Sequence, residues 1–129
     1  MNINGNLFMK RSTTLSVQDI NRVQEAAQIL ARHLSQDITI KELAGLVLLS
    51  EKKLKLGFKH EFEMGVHAYL RYIRLEKVKE LLVQNKPLKA IAKESGFKSE
   101  SGLSKTFKKV VGVTPGEWKT RYEQLDRVI

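Results

Sequence analysis

The sequence has no cysteine, which excludes disulfide bonds, thiol catalysis and cysteine-ligated zinc and fits a reducing compartment. Its only prolines are Pro87 and Pro115, and it has no strictly alternating β-branched run, so little interrupts a helical reading and little argues for a sheet. No apolar run approaches the roughly 18 residues of a membrane span, and Met1–Arg11 lacks the pattern of a signal peptide. The expectation is a soluble, cytoplasmic protein with no membrane contact. Acidic groups are scarce beside basic ones, 14 Asp+Glu against 23 Lys+Arg, for a formal net charge of +9 in 129 residues. All but one unit of that excess lies beyond Asp37. Such a balance favours a polyanionic partner. The length suffices for one compact domain or two very small lobes.

Signals of catalysis are also missing. His33, His60 and His67 are scattered, with no second ligand at a helical metal-binding spacing. No phosphate-binding glycine loop, nucleophile elbow or carboxylate pair is present. Neither an enzyme nor a metal or cofactor is expected.

What is present reads as all-α. Residues 1–15 are polar and aperiodic, a tail or linker remnant. Ser16 and Asp19 can cap a first helix whose Ile20, Val23, Ala27, Leu30 and Leu34 make one apolar stripe. Thr39 and Glu42 form a capping box that opens a short helix, and Ser50 can cap the next, with Leu54, Phe58 and Phe62 on one face. A longer helix runs from about Val66 to Gln84, with apolar residues on more than one side, and Asn85-Lys86-Pro87 ends it. Leu88–Ser95 is a further short helix closed by Gly96. Ser99 can cap a helix carrying Leu103, Phe107 and Val111 inward, and Thr114-Pro115-Gly116-Glu117 opens a last helix over about 115–125 with Trp118 and Tyr122.

Residues 50–70 superpose on 99–119 at a constant offset of 49, pairing Ser50 with Ser99, Leu54 with Leu103, Phe58 with Phe107 and Tyr69 with Trp118. Upstream the offset is 48, pairing Leu43-Ala44 with Ile91-Ala92. The second turn is therefore one residue longer, and Gly96-Phe97 is expected to occupy it. Each copy, about 39–62 and about 88–111, reads as a helix-turn-helix whose second helix enters a major groove. The helix over 66–84 would join them, spanning about 28 Å at 1.5 Å per residue, close to the ~34 Å between successive major grooves on one side of B-DNA.

At 100° per residue, Lys52, Leu56 and Lys59 lie opposite Leu54 and Phe58, with Lys53 and Lys55 on the flanks. Ser101, Lys105 and Lys108 lie opposite Leu103 and Phe107, with Gly102 and Ser104 at the flanks. Lys52, Lys55, Leu56, Ser101, Ser104 and Lys105, near the helix N-termini, are expected at base edges; Lys53, Lys59 and Lys108 are expected at phosphates. The first helix, richer in lysine, is expected to supply more of the electrostatic hold, and the second to tolerate more variation in its half-site. The competing reading is a helical protein-interaction module whose basic surface meets an acidic partner.

The run Ile91-Ala92, Gly96-Phe97, Leu103, Phe107-Lys108-Lys109 and Gly112-Val113-Thr114-Pro115, with Tyr69-Leu70, Arg74-Leu75 and Leu81-Leu82 in the linker, closely resembles the DNA-binding domain of the AraC/XylS family of bacterial transcription regulators. The resemblance covers roughly residues 16–125. It implies a seven-helix, two-lobed domain that binds promoter DNA and usually activates transcription through RNA polymerase. Three positions depart from the family pattern. Leu103 stands where Phe is more frequent, keeping a core residue. Gly102 replaces a larger residue, which implies a less rigid second recognition helix. Glu63 replaces a frequent glycine, which implies a different shape at the end of the first. Family members commonly carry an effector or dimerisation domain ahead of this one. Residues 1–15 leave no room for one in this chain, so the expectation is a short regulator or, preferably, a piece of a longer protein.

Overall fold

The structure, a computed structural model, describes residues 14–128, so the tail expected over 1–15 falls, except for Thr14 and Leu15, outside the described residues. Those residues form seven α-helices and no strand: α1 (Val17–Arg32), α2 (Ile40–Leu46), α3 (Glu51–Phe62), α4 (Val66–Val83), α5 (Leu88–Glu94), α6 (Glu100–Val111) and α7 (Pro115–Val128). They group into two compact units, residues 14–32 with 38–70, and residues 33–37 with 71–128. The all-α, seven-helix, two-lobed fold agrees with the sequence pattern.

Local chemistry explains where the helices begin. Ser16 and Asp19 exchange hydrogen bonds of 3.0 Å ahead of α1. Thr39 and Glu42 form the reciprocal capping box of α2, and Thr114 and Glu117 make the same exchange at α7, where Pro115 takes the first helical position. The Ser50 and Ser99 hydroxyls accept from the backbone N–H groups of Lys53 and Gly102. α5 follows Pro87 with no side-chain cap, and Asn85, in the left-handed region at φ 62, breaks the chain away from α4. α7 continues to Val128, past the expected end near 125, because no glycine or proline follows Gly116 to stop it.

In the first unit α1 packs on α2 and α3. Val23, Ala26 and Leu30 are buried against a core that includes Leu43, Leu54 and Phe58. The approach of α1 to α3 is close: a Cβ at Gly57 would overlap the Cγ2 of Val23. In the second unit Leu75, Val78, Leu81 and Leu82 of α4 take the scaffold role, packed with Ile91, Ala92, Leu103 and Phe107. The repeat extends to ring packing. Tyr69 meets Phe58 edge-on at 5.3 Å between centroids, and Trp118 meets Phe107 edge-on at 6.4 Å. Trp118 also stacks on Tyr122 and lies under the Lys79 ammonium. These rings anchor the units.

The two turns match more closely than the sequence alignment implies. In the first, the N–H groups of Leu48 and Leu49 donate to the carbonyls of Gly45 and Ala44; in the second, those of Gly96 and Phe97 donate to Lys93 and Ala92. Gly96-Phe97 occupy the second turn as expected; the offset of 48 persists through Leu49 and Phe97, so the extra residue is Lys98. Leu48 and Gly96 both take left-handed conformations, φ 58 and 87. Glycine is obligatory only in the second turn, where a Cβ would strike the Leu34 carbonyl and the Arg74 guanidinium. The same economy appears after α3 and α6: Glu63 (φ 58) donates to Lys59 O at 3.0 Å just as Gly112 (φ 96) donates to Lys108 O at 2.9 Å. Glu63 thus closes α3 with the same left-handed cap that Gly112 gives α6, a conformation glycine takes more cheaply.

Candidate nucleic-acid interface

Each unit fixes one 12-residue helix, α3 or α6, by an N-terminal serine cap and by a pair of side chains with no exposed surface, Leu54 with Phe58 and Leu103 with Phe107. Burying that pair turns the opposite side of the helix outward. On α3, Lys52, Lys55 and Lys59 are exposed, while Leu56 is only part-exposed and offers less surface than its helical angle implies. On α6, Ser101, Lys105 and Lys108 are exposed, and Ser104 and Gly102 are part-buried. The Gly102 N–H is the donor to the Ser99 cap, and a Cβ there would crowd that hydroxyl at 3.3 Å.

Lys53 differs from its lysine neighbours. Its ammonium lies 3.1 Å from Asp19 of α1, and Gly102 occupies its place in the second copy. Asp19, nine-tenths buried, also accepts from the Ser16 N–H; that bond and then the Lys53 bond hold its carboxyl below the usual carboxylate range. Lys53 therefore ties α3 to α1, which sets it apart from the exposed Lys52, Lys55 and Lys59. Glu61 makes a second tie between the same helices, accepting from Gln24 and meeting His60.

An arginine anchors the turn ahead of α3, and another holds the 33–37 segment beside the turn ahead of α6. Arg22 donates to the Leu48 carbonyl at 3.1 Å. Arg74 donates to the carbonyls of Leu34 at 3.1 Å and Gln36 at 3.3 Å and lies 3.7 Å from Asp37. Asp37 also takes the inserted Lys98 at 3.2 Å, and its carboxyl is held below its usual range chiefly by that lysine, then by Arg74. Sequence reasoning did not single out Lys89, Lys93 and Lys98, which line an open cleft beside the start of α6. The four-residue spacing of Lys89 and Lys93 was a legible signal; the position of Lys98 needed the hydrogen bonds of the turn. Among the described residues no group of three or more His, Asp or Glu side chains converges as a metal site, and no helix is long and apolar enough to cross a membrane.

A family model described as a helix-turn-helix domain matches residues 43–121. The probable transcriptional regulator LumQ of Photobacterium leiognathi is 30% identical over 122 residues, covering 90% of this chain and 47% of that protein. A putative AraC-like transcription regulator of Streptomyces antibioticus is 36% identical over 98 residues, covering 75% of this chain and 32% of that protein. Among solved structures, the C-terminal domain of AraT, a response regulator from Geobacillus stearothermophilus, has a TM-score of 0.71 at 31% identity, over 78% of this chain and 84% of that one. The chain spans less than half the length of the curated relatives it matches.

Proposed function

The chain belongs to the AraC-type helix-turn-helix family of transcription regulators, and from that membership we propose that its two units bind duplex DNA through α3 and α6, one major-groove segment each, and so control transcription. The observation that supports this most is the repeated arrangement itself: a serine-capped helix, a buried Leu/Phe pair and an outward lysine-bearing face, twice in one chain. Two readers on one chain make bipartite recognition possible without a dimer.

Lys52, Lys55 and Leu56 of α3 and Ser101, Ser104 and Lys105 of α6, near the helix starts, are assigned to base edges. A lysine on guanine O6/N7 carries about 1–3 kcal/mol of discrimination. Lys59 and Lys108, a turn later, are assigned to phosphates, which position the helix without reading sequence. Lys53 shares their expected role by sequence, but its tie to Asp19 removes it from the set on which the proposal rests. Regulation through contacts with RNA polymerase is the part taken from the resemblance alone; transcription reconstituted from purified components tests it.

Fluorescence anisotropy of a labelled duplex, followed against salt, tests DNA binding. Affinity should fall with a log–log slope of about −0.9 for each phosphate contacted. Failure to bind any duplex at ~50 mM salt, where phosphate contacts are strongest, would sink the proposal.

A further inference from the structure

A cleft of about 770 Å³ opens on the second unit beside the N-terminal turn of α6, with Lys89, Lys93, Lys98, Asp37, Ser99 and Glu100 in its lining. The repeat shows what is particular about it. Lys89 corresponds to Lys41 in the first copy, but Lys93 corresponds to Gly45, and Lys98 is the inserted residue with no counterpart. Lys89 and Lys93 are one helical turn apart on a seven-residue helix, an arrangement that costs a few tenths of a kcal/mol in repulsion. Among the described residues neither has an ion-pair partner. Lys98 does: it sits on Asp37, with 89% of its side chain and 71% of that of Asp37 exposed. An ion pair so exposed holds weakly, ~0–1 kcal/mol, and yields readily to a phosphate. Arg74, which also faces Asp37, is fixed by the Leu34 and Gln36 carbonyls and stays when Lys98 leaves.

We infer that this cleft seats the DNA backbone alongside α6, gripping phosphates with Lys89, Lys93 and Lys98, and that Asp37 holds Lys98 back until the duplex takes it. The inference rests on the two-reader proposal, since the cleft shares an edge with the start of α6, where a recognition helix meets base edges. It moves part of the electrostatic grip of the second unit off the recognition helix and onto α5 and the lengthened turn. Asp37 then sets the strength of that grip.

The test is a salt titration of one random-sequence duplex with the wild-type chain, K89A/K93A, K98A, D37N and D37N/K98A. All three lysines are exposed, so their truncation leaves the core intact. The salt slope should shrink by about 1.8 in K89A/K93A and by about 0.9 in K98A. Removing the Asp37 charge should raise affinity by up to about fivefold, the ~0–1 kcal/mol of an exposed ion pair that no longer has to be broken, and that gain should vanish when Lys98 is absent. Unchanged slopes in K89A/K93A and K98A, with wild-type binding intact, would overturn the seat, leave the two-reader proposal standing and point the cleft toward an acidic protein. A D37N variant that binds no tighter would overturn the restraint by Asp37. A wild-type chain that binds no duplex would overturn the parent proposal.

Discussion

Leu48 and Gly96 occupy the same left-handed position of the same turn in two copies, held by matching hydrogen bonds, yet only Gly96 is enclosed. Leu48 is 73% exposed, so its side chain contributes little burial to offset the strain.

That difference gives opposite signs to two substitutions. Leu48→Gly relieves a left-handed cost of ~1–2 kcal/mol and adds back part of it as unfolded-state entropy, for a net gain of about 0.5–1 kcal/mol. Gly96→Ala combines backbone strain with overlap at Leu34 and Arg74 and should cost about 3 kcal/mol. Urea denaturation of both variants measures this, and a shift in the same direction for both would contradict the shared turn.

The crossing of α1 and α3 makes a second prediction. Gly57→Ala gains roughly 1 kcal/mol of helix propensity but drives a methyl into Val23, whose branched side chain has little freedom to yield, at a cost of ~1–3 kcal/mol. The variant should be destabilised by about 1 kcal/mol, and Val23→Ala in the same chain should cost less than Val23→Ala alone. Thermal melts of the three variants suffice; additive effects would place the helices farther apart.

Ser95 has no exposed surface, and its hydroxyl has no hydrogen-bond partner; in the first copy the buried Val47 stands in its place. Ser95→Ala removes the desolvated hydroxyl and should stabilise the chain by about 1 kcal/mol. A loss of stability on chemical denaturation would mean the hydroxyl is satisfied in solution.

Acid should weaken the fold through carboxylates that cap its helices or pair with its lysines. Glu42 and Glu117 are lowered first by the backbone N–H groups of Thr39 and Thr114, Asp19 by Ser16 then Lys53, and Asp37 by Lys98. A carboxyl lowered in the folded state contributes stability that is complete above its unfolded value, near pH 4, and is lost as pH falls through the lowered one. Stability should therefore drop below about pH 4, and Glu42→Gln with Glu117→Gln should be weaker near neutrality and flatter across that acid limb. Parallel acid limbs for variant and wild type would contradict the assignment.

Much of this was legible because the signals are local. Ser16, Thr39, Ser50, Ser99 and Thr114 announce helix starts within four residues, and the Leu54/Phe58 and Leu103/Phe107 spacings fix which side of each helix is buried. The exposed lysines follow from that angle alone. What escaped depends on distant partners or on backbone conformation. Lys53 looks like its neighbours until α1 brings Asp19 to it, and nothing in a leucine marks the left-handed φ of Leu48. Which residue lengthens the second turn is not legible from sequence, because only the backbone hydrogen bonds show that Gly96 and Leu48 are equivalent and leave Lys98 as the extra one.

The most direct measurement of the two-reader account is binding-site selection from random duplexes with the wild-type chain, K52A, K105A, K59A and K108A. The account predicts a two-part motif for the wild type, a preference changed in one part by K52A and in the other by K105A, and an unchanged motif bound more weakly by K59A and K108A. Motifs unaffected by both K52A and K105A, or no enriched motif for the wild type, would contradict it.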